Sequence, residues 1–205
     1  MKKFSILLLV SLSLNGFLFA QKEEDDKEKK PFKEHLFTGG SISLAFYNNT
    51  FLVGGSPVFG YNLTKWIDAG LVANYSYTSY RDYNYILNNK LRQKVYGGGA
   101  FLKVYPVRFL FAQAQVEHNW ITQKEIDPSG DLTSKIKFSG NSFLIGGGYC
   151  TGRESDGSQP FYYLAVLFDI ADDVNSPYTD GYGRAIPIIR GGLQIPLFQK
   201  HYGRR

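Results

Sequence analysis

The side chains of this chain that could hold a metal or a cofactor are few and scattered. The histidines are His35, His118 and His201, and Cys150 is the only cysteine. Metal sites need such ligands at close spacing, which none of these has. The glycine pairs and triplets contain neither a G-x-G-x-x-G fingerprint nor a phosphate-binding glycine-lysine-Ser/Thr sequence. The sequence therefore predicts no metal site, no cofactor and no internal disulfide.

A second chemically relevant set consists of charged residues in segments where apolar and polar side chains alternate. Each of them stands at a polar position of the alternation, and they are Asp68, Lys103, Glu117, Asp169 and Arg190. If that parity faces a closed interior, the charges must be paired, because an unpaired buried charge is costly. An arginine fork can bind two carboxylates at once. We expect Arg190 to pair with Asp169, with Glu117 as a second candidate, and Asp68 to pair with Lys103.

The elements that would position these charges are eight predicted β-strands, identified by period-two alternation between turn-like stretches. They span 36–47, 51–61, 67–80, 94–105, 109–121, 138–150, 161–170 and 186–198. Most have ten or more residues, as a tilted membrane strand requires (about 9–11), whereas globular strands average about five or six. Because proline cannot donate to a ladder, Pro57 predicts a bulge or a local break in the second strand.

The segment 111–120, FAQAQVEHNW, raises the question of which face points inward. One parity carries Leu110, Ala112, Ala114, Val116 and Trp120, and the other carries Gln113, Gln115, Glu117 and Asn119. In a soluble sandwich the apolar face forms the core. In a transmembrane barrel it meets lipid, and the polar face fills the interior.

The N-terminus favours export and therefore the second arrangement. Lys2 and Lys3 precede an apolar run that starts at Phe4, and Ala20 precedes a charged segment. This layout predicts a signal peptide over 1–20; an N-terminal anchor is the alternative. Residues 21–35 are predicted to be a solvated, charged periplasmic linker. After cleavage the formal charge falls from +5 to +3, with scattered basic residues, so no nucleic-acid partner is expected.

The connections also follow a barrel pattern, in which periplasmic turns are short and outer loops are longer. The predicted turns are 62–66, 106–108 and 151–160, and the predicted outer loops are 48–50, 81–93, 122–137 and 171–185. Two of these depart from the pattern, since 48–50 is short and 151–160 is long. An even number of strands returns both chain ends to the periplasm.

Aromatic residues make up 16% of the chain and concentrate near predicted strand ends on the outward parity. They predict two girdles at the membrane interfaces. The residues assigned to them are Trp66, Trp120, Tyr75, Tyr77, Tyr96, Tyr149 and Tyr162.

The last strand carries a segment similar to the C-terminal assembly signal of outer-membrane barrels. Arg190, Gly192, Ile195 and Leu197 match its spacing, although a basic tail, 199–205, follows. Residues 36–198 as a whole resemble the small outer-membrane β-barrel family of the eight-stranded OmpA/OmpX-like type. The resemblance implies an all-β, antiparallel, up-and-down barrel in the outer membrane of a Gram-negative bacterium, with lipopolysaccharide and the barrel-assembly machinery as partners.

Some small barrels act on lipid A, and the deacylase type resembles a serine hydrolase with a His-x-Ser pair on one strand. Here Asn119 and Trp120 follow His118, so that pair is missing. We therefore predict a monomeric, non-catalytic barrel with a structural, adhesive or accessory role, whose protein or glycan ligand binds at loops 81–93, 122–137 and 171–185. The alternatives are a narrow channel, a lipid A-modifying enzyme, and a soluble secreted β-sandwich or lipocalin-like carrier.

Overall fold

The computed structural model describes residues 32–47, 50–81, 88–153, 158–179 and 185–199. The predicted signal peptide, most of the predicted linker, and the tail after Gln199 lie outside these ranges. A 3₁₀ turn, Phe32–His35, is followed by eight strands. They are β1 (Leu36–Tyr47), β2 (Thr50–Asn62), β3 (Ile67–Arg81), β4 (Lys90–Val107), β5 (Leu110–Ile126), β6 (Leu132–Cys150), β7 (Phe161–Asp169) and β8 (Ile188–Pro196).

Each strand pairs antiparallel with the next, and β8 pairs with β1 from Phe37↔Pro196 to Ile42↔Gly191. The sheet is therefore a closed, up-and-down, eight-stranded barrel, and the predicted fold is confirmed. A soluble sandwich is excluded, since closure leaves no second sheet. No helix among the described residues is long and apolar enough to cross a membrane.

The two ends of the barrel differ in their connections. One end, here called the terminal end, carries the 3₁₀ turn, residues 197–199, the short turns before β3 and β5, and the β6–β7 connection. The other is the hairpin end. Phe32 stacks on Tyr61 with ring centroids 4.9 Å apart, so the last residues of the predicted linker pack against the terminal end.

At the hairpin end, β4, β5 and β6 are longer than predicted. The expected loop 122–137 is a continuation of the β5–β6 hairpin, which turns only at 127–131, where Gly130 has a positive φ of 96°. The predicted strands stop at the hairpin end where their outward-facing apolar residues stop. The pairing continues beyond them because backbone hydrogen bonds do not require an apolar face.

Pro57 produces one of the two expected irregularities. The β1–β2 pairing runs through Gly40↔Pro57 without interruption. The β2–β3 pairing lapses between Gly55↔Tyr75 and Val58↔Val72 and resumes in the same register. The proline thus removes local pairing without a bulge, because the register on both sides of the gap is the same.

Candidate functional site: the barrel interior

The interior contains all five of the predicted charges, and each is at least nine-tenths buried. On β5, Gln113, Gln115, Glu117 and Asn119 are buried, while Leu110 and Val116 are exposed on the outside. The polar face of the 111–120 segment therefore points inward.

Glu117 is the centre of a hydrogen-bond network near the hairpin end. Its Oε1 accepts from Arg190 Nη2 at 3.2 Å and from the Gln115 amide. Its Oε2 accepts from Tyr178 Oη at 2.7 Å, Asn74 Nδ2 at 3.1 Å and Asn119 Nδ2 at 3.3 Å. Five donors converge on one buried carboxylate, which compensates for its lost hydration.

The expected pair between Arg190 and Asp169 is wrong. Asp169 accepts from Ser176 Oγ at 2.5 Å and from the backbone amides of Phe143 and Ala171 at 2.9 and 3.0 Å. Asp169 is the last residue of β7, and its carboxylate is satisfied by one β6 amide and by the chain after β7, which becomes buried at Ser176. Arg190 instead forms its ion pair with Glu117, the second candidate.

Tyr178 belongs to that chain after β7 and closes the hairpin end of the interior. Its hydroxyl donates to Glu117 and accepts from Asn74 Nδ2 at 3.2 Å. Ser176 Oγ of the same segment lies 3.0 Å from Ser142 Oγ. Burial raises the pKa of the Tyr178 phenol above its ordinary value, and the Glu117 carboxylate raises it further. The described part of the predicted loop 171–185 is thus partly an internal cap.

A second ion pair closes the terminal end. Arg153 Nη2 lies 2.7 Å from Asp68 Oδ1, and Gln194 Nε2 donates to Asp68 Oδ2 at 3.1 Å. The same guanidinium donates to the carbonyl of Lys65 and stacks 4.5 Å above the Tyr105 ring. Gly152 precedes it with a φ of 115°, a conformation that lets the β6–β7 connection turn into the barrel mouth.

The expected Asp68–Lys103 pair is therefore also wrong, although the two residues are directly opposite on β3 and β4. Lys103 Nζ lies 4.1 Å from the ring centroid of Tyr163, 5.2 Å from that of Phe111 and 5.4 Å from that of Phe101. The ammonium is held by aromatic faces, which attract cations, because a loop arginine already occupies Asp68.

Aromatic side chains pack around this ammonium, although the alternation of side chains predicts an interior filled by the polar face. One cluster contains Tyr105, Phe111, Cys150, Phe161, Tyr163 and Ala165, and another contains Phe37, Val72 and Phe101. The space between Lys103 and Arg190 is only about 10 Å³, the lower limit for one water molecule. This space therefore holds about one water molecule, and it lies between two ion-paired mouths.

Sequence reasoning missed Arg153 and Tyr178, which complete the two mouths. Both lie in connections, where alternation of side chains does not operate, so parity could not assign them to the interior. One signal was available: the length of the 151–160 connection, which is unnecessary for a simple turn.

The outer surface of the barrel is apolar between two rows of aromatic side chains. Tyr75, Tyr96 and Trp120 are register neighbours toward the hairpin end, with the Tyr96 and Trp120 rings stacked at 5.6 Å. Trp66, Tyr149 and Tyr162 are exposed toward the terminal end. Tyr77 is half-buried, one register row beyond Tyr75. The exposed side chains between the rows include Ile42, Leu71, Leu102, Val116, Ile145, Leu164 and Ile189.

The segment that resembles an assembly signal forms the closing strand. Arg190 points inward, Ile195 is exposed on the outside, and the Leu197 amide donates to the Leu36 carbonyl at 2.7 Å. Gly192 lies against the Tyr163 ring, where a Cβ would collide. A role in assembly stays a prediction.

His118 lies on the outer surface beside the hairpin-end aromatic row. Its Nδ1 is 2.8 Å from Asn141 Oδ1, and its ring meets the edge of Trp120 with centroids 4.7 Å apart. The hydrogen-bond partner is an amide oxygen and not a nucleophilic hydroxyl.

No protein-family model and no curated protein sequence matches this chain. Among solved structures, it is similar to the crystal structure of the N-terminal β-barrel domain of Pseudomonas aeruginosa OprF. The identity is 14%, the TM-score is 0.40, and the match covers 78% of this chain and 95% of that one. The barrel fold of this chain is established by its own strand pairing.

Proposed function

We propose that this chain is an outer-membrane barrel of a Gram-negative bacterium, with a non-catalytic structural or adhesive role at its hairpin end. The observation that carries the proposal is the inverted distribution of polarity. Large apolar side chains cover the outside between two aromatic rows, and ion pairs lie inside. Lipid is the solvent that such an exterior requires, and interfacial aromatic rows are typical of membrane barrels.

A channel is the less favoured function because both mouths are closed by buried arginines. Arg153 and Arg190 are each bound to a carboxylate, and the space between Lys103 and Arg190 is about 10 Å³. A carrier for an apolar ligand would need an empty apolar cavity, whereas this interior contains buried ion pairs and packed aromatic clusters. The hydrogen bond from His118 to Asn141 provides no activated nucleophile, which supports a non-catalytic role.

The two tryptophans of the chain, Trp66 and Trp120, offer a direct test because they lie in different aromatic rows. Trp66→Phe and Trp120→Phe each leave a single tryptophan. Each variant protein is reconstituted in vesicles that contain lipids brominated at defined depths, and the quenching of tryptophan fluorescence is measured. We expect shallow bromines to quench both fluorophores more strongly than bromines at the bilayer midplane. Equal, weak quenching at every depth would contradict membrane insertion.

The orientation that an adhesive role at the hairpin end requires is tested separately on intact cells. An epitope inserted at Ser129, in the turn of the β5–β6 hairpin, should be accessible to antibody on intact cells. The matched insertion between Arg108 and Phe109, in the terminal-end turn, should be accessible only after the outer membrane is opened. The reverse result would contradict the assigned orientation.

A further inference from the structure

We propose that the outward face of β3–β6 beyond the hairpin-end aromatic row is a binding site for the phosphate groups of a lipid headgroup, with lipid A of the outer leaflet as the occupant. The site is built from register rows that continue the membrane face beyond Tyr75, Tyr96 and Trp120. This inference rests on the membrane location proposed above.

The first two rows beyond the aromatic residues are rich in cations. The first contains Tyr77, Lys94, Thr122 and Lys137, and the second contains Ser79, Arg92, Lys124 and Lys135. Arg81 and Lys90 are paired in the next row. We call the five cations of the first two rows, Lys94, Lys137, Arg92, Lys124 and Lys135, the basic patch.

The arrangement of the patch is unfavourable unless an anion covers it. Arg92, Lys124 and Lys135 are directly opposite one another on three adjacent strands. Opposed residues on neighbouring strands have Cβ atoms about 4.5–5.5 Å apart, and like charges at such positions destabilise a sheet. No carboxylate is a member of either row, so the cations have no compensating charge within the rows.

The described carboxylates near the basic patch lie outside its two register rows. Glu125 lies on the opposite parity and accepts from Asn89 at 3.1 Å. Asp127 and Asp131 form the hairpin turn beyond the patch. Asp173 accepts from the Asn141 amide at 2.7 Å, below the Trp120 row. An anionic partner is therefore attracted to the patch itself and not to the tip of the hairpin.

The height of the patch matches lipid headgroups. The two rows lie about 7 and 14 Å beyond the aromatic row along the strands, or about 5 and 10 Å along the membrane normal at the usual barrel tilt. The headgroup region is about 5–8 Å thick on each side of a bilayer. The patch thus begins within it, on the face that is continuous with the lipid-facing surface.

The same face contains a depression that could receive a phosphate group. A cavity of about 210 Å³ is lined by Tyr77, Arg92, Lys94, Thr122 and Lys124. It combines cationic donors with a hydroxyl and a phenol, a set suited to the oxygen atoms of a phosphate. The cavity lies on the outward face that continues the aromatic row of Tyr96 and Trp120, which is why we assign the site to a lipid and not to a soluble polyanion.

The test compares two charge-matched variants of the full chain, folded in detergent micelles. Arg92→Gln, Lys124→Gln and Lys135→Gln together remove the three opposed cations. Lys33→Gln, Lys65→Gln and Arg108→Gln together remove three exposed cations at the terminal end. Binding of lipid A, of dephosphorylated lipid A and of inorganic phosphate is measured by titration calorimetry in the same detergent.

We expect the wild type and the terminal-end variant to bind lipid A at least about tenfold more tightly than dephosphorylated lipid A, since charge-assisted hydrogen bonds to phosphate are lost in the latter. The patch variant should lose this preference. Without lipid A it should resist heat at least as well as the wild type, because a repulsive row has been removed, so misfolding is distinguishable from lost binding.

Three results would overturn the inference. They are equal wild-type affinity for the two lipids, an equal loss in the terminal-end variant, and competition by inorganic phosphate at concentrations comparable with lipid A, which would indicate a site for free anions. If Trp66 and Trp120 are quenched as membrane residues while no phosphate preference is found, the inference fails and the proposed function stands.

Discussion

Arg190 Nη2 lies 3.2 Å from Glu117 Oε1, although the two residues are 73 positions apart and belong to strands that are not neighbours. The pair spans the interior from β8 to β5. Both side chains are almost completely buried, so each charge depends on the other and on the surrounding amides. This contact joins opposite walls of the barrel and fills the interior at that level.

Removing one member of this pair should destabilise the barrel strongly. We expect Arg190→Met to cost about 3–5 kcal/mol, because Glu117 is left as an uncompensated buried charge. The double variant Arg190→Met/Glu117→Met should recover most of that loss, since an apolar pair of similar size needs no compensation. Guanidinium unfolding of the four proteins in a double-mutant cycle measures the coupling, and strictly additive losses would contradict it.

The closed mouths predict the absence of a constitutive current. In planar bilayers the wild type should show no steady conductance at neutral pH. Arg153→Ser combined with Arg190→Ser removes a guanidinium from each end of the interior, but it should also show no steady conductance, because the aromatic clusters around Lys103 still block the path between the mouths. The control Lys65→Ser/Arg108→Ser, on exposed terminal-end residues, should remain silent. A steady wild-type current would revive the channel function.

Substitution of Val116 tests whether the outer surface of the barrel contacts lipid or water. Its side chain is 53% exposed in the apolar band between the aromatic rows. Val116→Arg should reduce the stability of the barrel in lipid by about 2–4 kcal/mol, the cost of a cation near the bilayer midplane. Ser129→Arg adds the same side chain at the exposed hairpin turn and should change stability little. Equal stability of the two variants would argue against a lipid environment.

Asp173 predicts a pH dependence at the hairpin end. The backbone amides of Asn141 and Asn175 donate to its carboxylate at 2.7 and 2.9 Å, which lowers its pKa below the ordinary 3.8. A lowered folded-state pKa means that the contribution to stability is present above the unfolded-state pKa and is lost as pH falls through the folded value. The amide NMR signals of Asn141 and Asn175 should therefore titrate with a midpoint below 3.8, and Asp173→Asn should abolish this titration. A midpoint above 3.8 would contradict the assignment.

Much of this protein could be predicted from local alternation. The number of strands, the start of β1, β3 and β7, and the inward direction of Glu117 and Arg190 all follow from parity, because successive side chains of a strand must point to opposite faces. The gap at Pro57 follows equally locally, from the missing amide hydrogen.

The partners of the buried charges were decided only by the tertiary structure. Parity places Asp68, Lys103, Asp169 and Arg190 inside, but it specifies neither their relative heights nor what enters from the connections. Arg153 reaches Asp68 from the β6–β7 connection, and Ser176 reaches Asp169 from the chain after β7. Alternation is a property of strands, whereas ion pairing depends on distances that only barrel closure and loop folding determine.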